Sequence, residues 1–102
     1  MRVLIIGAGG HAKVVHDVLV ESGVHVLGFL DDNRELWGRQ LFGLPITGPV
    51  DAIGRMNPDG AIIGIGHNAT RKRVYTWLTK QGIAVVNAID PTAAIAATVR
   101  IG

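Results

Sequence analysis

Apolar residues along this chain fall into two kinds of pattern: short continuous runs closed by glycine or acid, and longer stretches with helical spacing. Residues 2–6, Arg2-Val3-Leu4-Ile5-Ile6, form the first run and predict a strand buried on both faces. Residues 24–30 predict a second strand, rich in β-branched and aromatic side chains and stopped by Asp31-Asp32-Asn33. Residues 61–65 predict a third strand, ended by Gly66, and residues 83–86 a fourth. Helical spacing appears from Ala12 to Ser22, where Val14, Val15, Val18 and Leu19 make one stripe and Gly23 supplies a stop. It returns after Asn68, a suitable cap, and runs to Gln81 with Val74, Trp77 and Leu78 turned inward. Between the second and third strands lie a polar stretch to Gln40, an extended piece at residues 44–48 and a brief helix over residues 50–56. Strands alternating with helices at this spacing imply right-handed βαβ units. The expected class is α/β, a small Rossmann-like parallel sheet with flanking helices.

The last stretch breaks the pattern. Ile89, Ile95 and Ile101 recur at six-residue steps, with Ala93 and Val99 four places after the first two. Neither a helix nor an alternating strand has that period, whereas each coil of a hexapeptide β-helix does. The expected division is a Rossmann-like domain over residues 1–88 and the first coils of a left-handed β-helix over residues 89–102. Two periods fall short of the ~3 repeats a stack needs, so the chain is expected to stop inside that motif. An alanine-rich tail with accidental spacing is the plainer alternative.

Composition narrows the function classes. A chain of 102 residues, 48% hydrophobic and 18% charged, supports one modest core and not disorder. It holds no cysteine, which excludes disulfides and thiolate metal sites and fits a cytoplasmic setting. Gly7 interrupts the opening apolar run before a signal peptide could form, and no run approaches the ~20 residues of a membrane span. The formal charge of +2, without aromatics beside the basic residues, gives no ground for a nucleic-acid partner.

The chemistry concentrates in Gly7-Ala8-Gly9-Gly10-His11-Ala12-Lys13, which joins the first strand to the first helix. Gly7 permits a tight turn, Gly9 lets a ligand approach the backbone, and the helix start offers amide donors to phosphate. Ala12 takes the third position of the G-x-G-x-x-G/A pattern, and Asp31 or Asp32 stands where a ribose-binding acid would. Two features point past a generic dinucleotide turn. His11 and Lys13 fall where the helix dipole disfavours cations by ~0.3–1 kcal/mol each. Arg71, Lys72 and Arg73 follow Asn68 with no acid in that turn either. Cations at two helix starts make electrostatic sense if both face one anion.

With the third strand beside the first and opposite the second, the two starts would flank the topological switch point. Gly9, Gly10 and His11 would then face Gly64, Gly66, His67 and Asn68 across a diphosphate, with Asp31 and Asp32 toward a base or ribose. For Lys72 and Arg73 a solvated helix face is the simpler reading. His16 and His25 have no partner at metal spacing and read as structural, Trp37 reads as a loop anchor, and Tyr75 and Trp77 read as packing. No nucleophile–base or carboxylate pair is visible, so no residue is assigned to catalysis.

Residues 5–15, Ile5-Ile6-Gly7-Ala8-Gly9-Gly10-His11-Ala12-Lys13-Val14-Val15, resemble the opening of the sialic acid O-acetyltransferase family, which includes the bacillosamine N-acetyltransferases. Gly28-Phe29-Leu30-Asp31-Asp32, Leu44-Pro45-Ile46-Thr47-Gly48, Ile63-Gly64-Ile65-Gly66-His67-Asn68 with Arg71, and Asp90-Pro91-Thr92-Ala93 continue the likeness in order. The resemblance implies a two-part enzyme: an N-terminal domain that holds a UDP-linked amino sugar, and a β-helix trimer that binds acetyl-CoA and carries the catalytic histidine beyond Gly102. It implies sugar or phosphate contacts from Gly9, Gly10 and His11, uracil recognition by Asp31 and Asp32, and a cleft lined by residues 66–68. His67 departs from the family, where a smaller polar residue is common. The 102-residue piece is then expected to bind no cofactor, to be inactive alone, and to be free to remain monomeric, since the family trimerises through its β-helix. Two other readings stay open: an NAD-binding module of an oxidoreductase or redox sensor, and a structural cap on a β-helix.

Overall fold

The computed structural model of the chain describes residues 1–86. The hexapeptide spacing and the boundary after residue 88 lie outside them. In chain order the elements are β1 (Arg2–Ile6), α1 (Gly10–Glu21), β2 (His25–Leu30), a 3₁₀ turn (Arg34–Leu36), β3 (Gln40–Leu41), β4 (Leu44–Gly48), a second 3₁₀ turn (Val50–Ala52), α2 (Ile53–Met56), β5 (Gly60–Ile63) and α3 (Asn68–Lys80). The sheet order is β3-β4-β2-β1-β5. β1 pairs in parallel with both β2 and β5, and β2 pairs in parallel with β4, whereas β3 is antiparallel to β4. The expected α/β class and the placement of β5 beside β1, opposite β2, are both found.

The continuous apolar run of β1 divides between two cores. Val3 and Ile5 join Val26, Phe29 and Ile62 beneath Ala12, Val15 and Leu19 of α1. Leu4 and Ile6 join Leu30 and Ala61 beneath Leu78 of α3 and Ile53 of α2. Because β1 alternates across the sheet, burying both sets requires a helix on each face. Both long helices end in the same hydrogen-bonded cap. Gly23 and Gly82 adopt positive φ, Val24 N–H donates to Leu19 O, and Ile83 N–H donates to Leu78 O. These are the two 6→1 bonds of Schellman caps, and each returns the chain beside the core residue it bonds.

Several elements depart from expectation. β5 ends at Ile63, not Ile65, and at Gly64 there is no room for a side chain between Ile5 and Ala12. The fourth strand is reduced to a parallel bridge between Ala61 and Val85, flanked by bonds from Ala61 N–H to Ala84 O and from Val86 N–H to Ala61 O. The polar stretch before Gln40 leads into an unforeseen hairpin of β3 and β4, whose turn holds Phe42 at φ 54° and Gly43 at φ 77°. Phe42 stacks on His16, with ring centroids 4.9 Å apart. No helix among the described residues is long and apolar enough to cross a membrane.

Candidate anion-binding edge

The parallel ladder continues past the last strand residues as a row of amide bonds across the carboxyl edge of the sheet. Gly64 N–H donates to Ile6 O at 2.7 Å, Gly7 N–H to Leu30 O at 2.7 Å, and Asp31 N–H to Gly48 O at 3.0 Å. These bonds fix the ends of β5, β1, β2 and β4 side by side. They bring together three of the predicted segments: the glycine turn, the Asp31-Asp32 pair and the Gly64–Asn68 loop.

The glycine turn divides by function. Gly7 has φ +102°, and a Cβ there would lie 3.0 Å from Ile65 Cγ1 and 3.1 Å from Gly64 O, so backbone and packing both require glycine. Gly64 is likewise closely packed: a Cβ there would lie 3.0 Å from Ile5 Cγ2 and 3.4 Å from Ala12 Cα. Gly9 and Gly10 are different: a Cβ on either would meet nothing within 4 Å. Gly9 caps α1 with φ −87°, a value open to any residue, and no side chain caps the helix. Among the described residues no packing demands glycine at these two positions, and both leave backbone amides open to approach.

α3 begins differently from expectation. His67, not Asn68, is the cap: its Nδ1 accepts from Thr70 N–H at 3.3 Å and lies 3.0 Å from Thr70 Oγ1. Asn68 instead starts the helix, with Oδ1 3.5 Å from Arg71 Nη2. The two helix starts approach one another across the edge, since a methyl placed on Gly66 would sit 3.9 Å from His11 Nδ1.

Neither helix has an acid in its first turn. Among the described residues the two recorded ion pairs are Arg2–Asp59 and His16–Asp17, so His11, Lys13 and Arg71 are not neutralised by a carboxylate. All three are exposed. The acids of the edge are committed elsewhere. Asp31 Oδ2 accepts from Ala8 N–H and Oδ1 from Asn33 N–H, both at 2.8 Å. Asp32 Oδ1 accepts from Val50 N–H at 3.0 Å, while its Oδ2 has no hydrogen-bond partner among the described residues. Trp37 anchors its loop as expected, donating from Nε1 to Asp31 O at 2.7 Å.

A cleft of about 920 Å³ opens beside this edge and runs around β5 between α1 and α3. His11, Asn68 and Arg71 line its polar side and Val14, Val18 and Tyr75 its apolar side. Tyr75, expected as packing, is 48% exposed here, whereas Trp77 does pack on the second core. His16 stacks on Phe42 and lies tilted to Phe29, in keeping with a packing role, and His25 is exposed.

Comparison with known proteins places this edge in context. Residues 2–78 match the family described as the PglD N-terminal domain. The chain belongs to that family. Its fold superposes with a TM-score of 0.78 on a perosamine N-acetyltransferase from Caulobacter crescentus, solved with CoA and GDP-perosamine. Identity is 32%, over 89% of this chain and 43% of that one. A relative in Acanthamoeba polyphaga mimivirus, the uncharacterized protein L142, is 31% identical over all of this chain and 20% of its own length. The chain therefore spans less than half of either. A UDP-D-quinovosamine 4-dehydrogenase from Vibrio fischeri shares the fold, with TM-score 0.70 and 21% identity over 83% of this chain and 75% of that one. At that identity the likeness speaks for the fold alone.

Proposed function

We propose that this chain is the substrate-binding part of an acetyl-CoA-dependent sugar acetyltransferase, and that it holds a nucleotide-activated amino sugar by its diphosphate. The observation that carries the reading is the convergence of two helix starts, both basic and both without acids, at the ends of adjacent parallel strands. Partial positive charge on open amides, reinforced by Lys13 and Arg71 and joined by the ring nitrogens of His11, suits a diphosphate. In this reading Gly7 shapes the turn, Gly9, Gly10 and His11 meet the phosphates, and residues 64–68 close the opposite side. Asp32, with one carboxylate oxygen still available, faces the base.

The sugar acetyltransferase assignment is supported by the perosamine enzyme, whose structure contains CoA and a nucleotide amino sugar. No described residue is assigned to acetyl-CoA, which the reading gives to a β-helix domain in a homotrimer. The contribution of this domain is positional. Holding the acceptor amine or hydroxyl near the thioester converts a bimolecular encounter into an oriented one, with no chemistry from its own side chains. A cytoplasmic site of action fits a cysteine-free chain.

Isothermal titration of the 102-residue protein with UDP, GDP and their amino-sugar conjugates tests the reading. Heat of binding with at least one nucleoside diphosphate, weakened by added salt, is the expected result. Uridine is the base expected from the family resemblance, and the GDP-perosamine complex makes guanosine the comparison. Binding of NADH in preference to both would favour the dinucleotide alternative. Asp31 has both oxygens bonded to backbone amides, so of the two ribose-binding candidates Asp32 is the one with an oxygen left for a ligand in either reading.

A further inference from the structure

We propose that Asp31 does not touch the ligand but acts as a positioning residue, a strut that sets the conformation of the glycine turn. The inference rests on the diphosphate-binding reading above and reassigns a residue that the sequence placed among the ligand contacts. Asp31 is half-buried, and its two carboxylate oxygens accept from amides on opposite sides: Ala8 in the glycine turn and Asn33 in the loop after β2. Its backbone is fixed as well, by N–H donation to Gly48 O and by acceptance from Trp37 Nε1. Four bonds from three segments, the glycine turn, the end of β4 and the loop after β2, meet at this residue. A side chain so constrained cannot swing toward a base without abandoning the turn.

The arrangement also answers an electrostatic difficulty. A carboxylate next to a diphosphate would repel it, unless its charge is already answered by donors. Asp31 meets two amide donors. In doing so it turns the Ala8 N–H away from the ligand, so the phosphate-facing donors begin at Gly9. The residue that reads the base is then Asp32, whose Oδ2 is uncommitted among the described residues.

The test combines Asp31→Asn with Asp32→Asn as control, using the full chain. In ligand-free protein, Asp31→Asn is expected to speed amide hydrogen exchange at Ala8 by about tenfold or more, the loss anticipated for a charge-assisted bond. Affinities for UDP, GDP and inorganic pyrophosphate should fall by one common factor, because the turn serves the phosphates whatever the base. Asp32→Asn should instead change the ratio of UDP to GDP affinity and leave pyrophosphate unaffected.

Unchanged exchange at Ala8, or a loss in Asp31→Asn confined to the nucleosides, would overturn the proposal. So would unaltered affinities. Should Asp31→Asn fail to fold, the carboxyl ¹³C shifts of the wild-type protein decide: on adding UDP, Asp32 should move and Asp31 should not, and a large shift at Asp31 refutes the strut. If the wild-type protein binds none of the three probes, the diphosphate reading fails, while exchange at Ala8 still decides the role of Asp31.

Discussion

At the residue scale, the edge depends on a few positions where backbone geometry and packing leave one choice. Gly28 is the sharpest: at φ +154° a Cβ would stand 2.7 Å from Pro45 O, inside the bulge that shifts the β1–β2 register between Val3 and Leu4. Gly28→Ala is expected to lower stability by ~1–3 kcal/mol, read as a shift in the midpoint of urea unfolding. His67 makes a different kind of claim. Its Nδ1 caps α3, so His67→Ala should lower stability by ~1 kcal/mol and His67→Asn should restore most of it, in the same assay. The sequence pointed to Gly7 as the residue of a tight turn, with which its positive φ agrees, but placed Gly64 inside the third strand. It misassigned the cap by one position, since histidine is an uncommon cap and Asn68 beside it is a common one. It also could not reveal that Asp31 is held by Ala8, because that bond joins residues far apart in the chain.

At the element scale, the two long helices carry both the fold and its compromise. Gly23 was legible as the stop of α1, and Val15, Leu19 and Leu78 as core positions, whereas Val14, placed in the same stripe, is exposed, and Gly82 was not read as a stop. Elements without periodicity were not legible. β3 is two residues long, and Phe42 is an improbable occupant of a positive-φ turn until His16 is seen to stack on it. The compromise lies in the first turns, where cations oppose the helix dipole in the ligand-free protein. Lys13→Glu should therefore raise the midpoint of thermal unfolding, corresponding to ~1 kcal/mol, while weakening nucleoside diphosphate binding by about tenfold. A variant that loses stability, or binds equally well, would show that Lys13 is only a solvated surface residue.

At the scale of the whole molecule, the strand order places two helix starts together. The alternation of strands and helices predicted a parallel sheet, and the order β4-β2-β1-β5 puts the glycine turn after β1 next to the loop after β5. Right-handed crossovers then send α1 to one face and α3 to the other, so their starts flank the gap from opposite sides. Family membership supports this use of the fold, and the shared fold of a 4-dehydrogenase shows that the architecture alone does not fix the ligand. The arrangement also sets a salt dependence. With His11, Lys13 and Arg71 exposed, raising ionic strength from 0.05 to 0.5 M should weaken diphosphate binding several-fold, checked by titration calorimetry.

The most direct test is an ¹H–¹⁵N titration of the protein with UDP and GDP, following amides in both turns at once. Gly9, Gly10 and His11 at the start of α1, and His67, Asn68 and Arg71 at the start of α3, should shift together along one binding curve. Shifts confined to a single helix start, or two curves with different midpoints, would contradict a shared anion site.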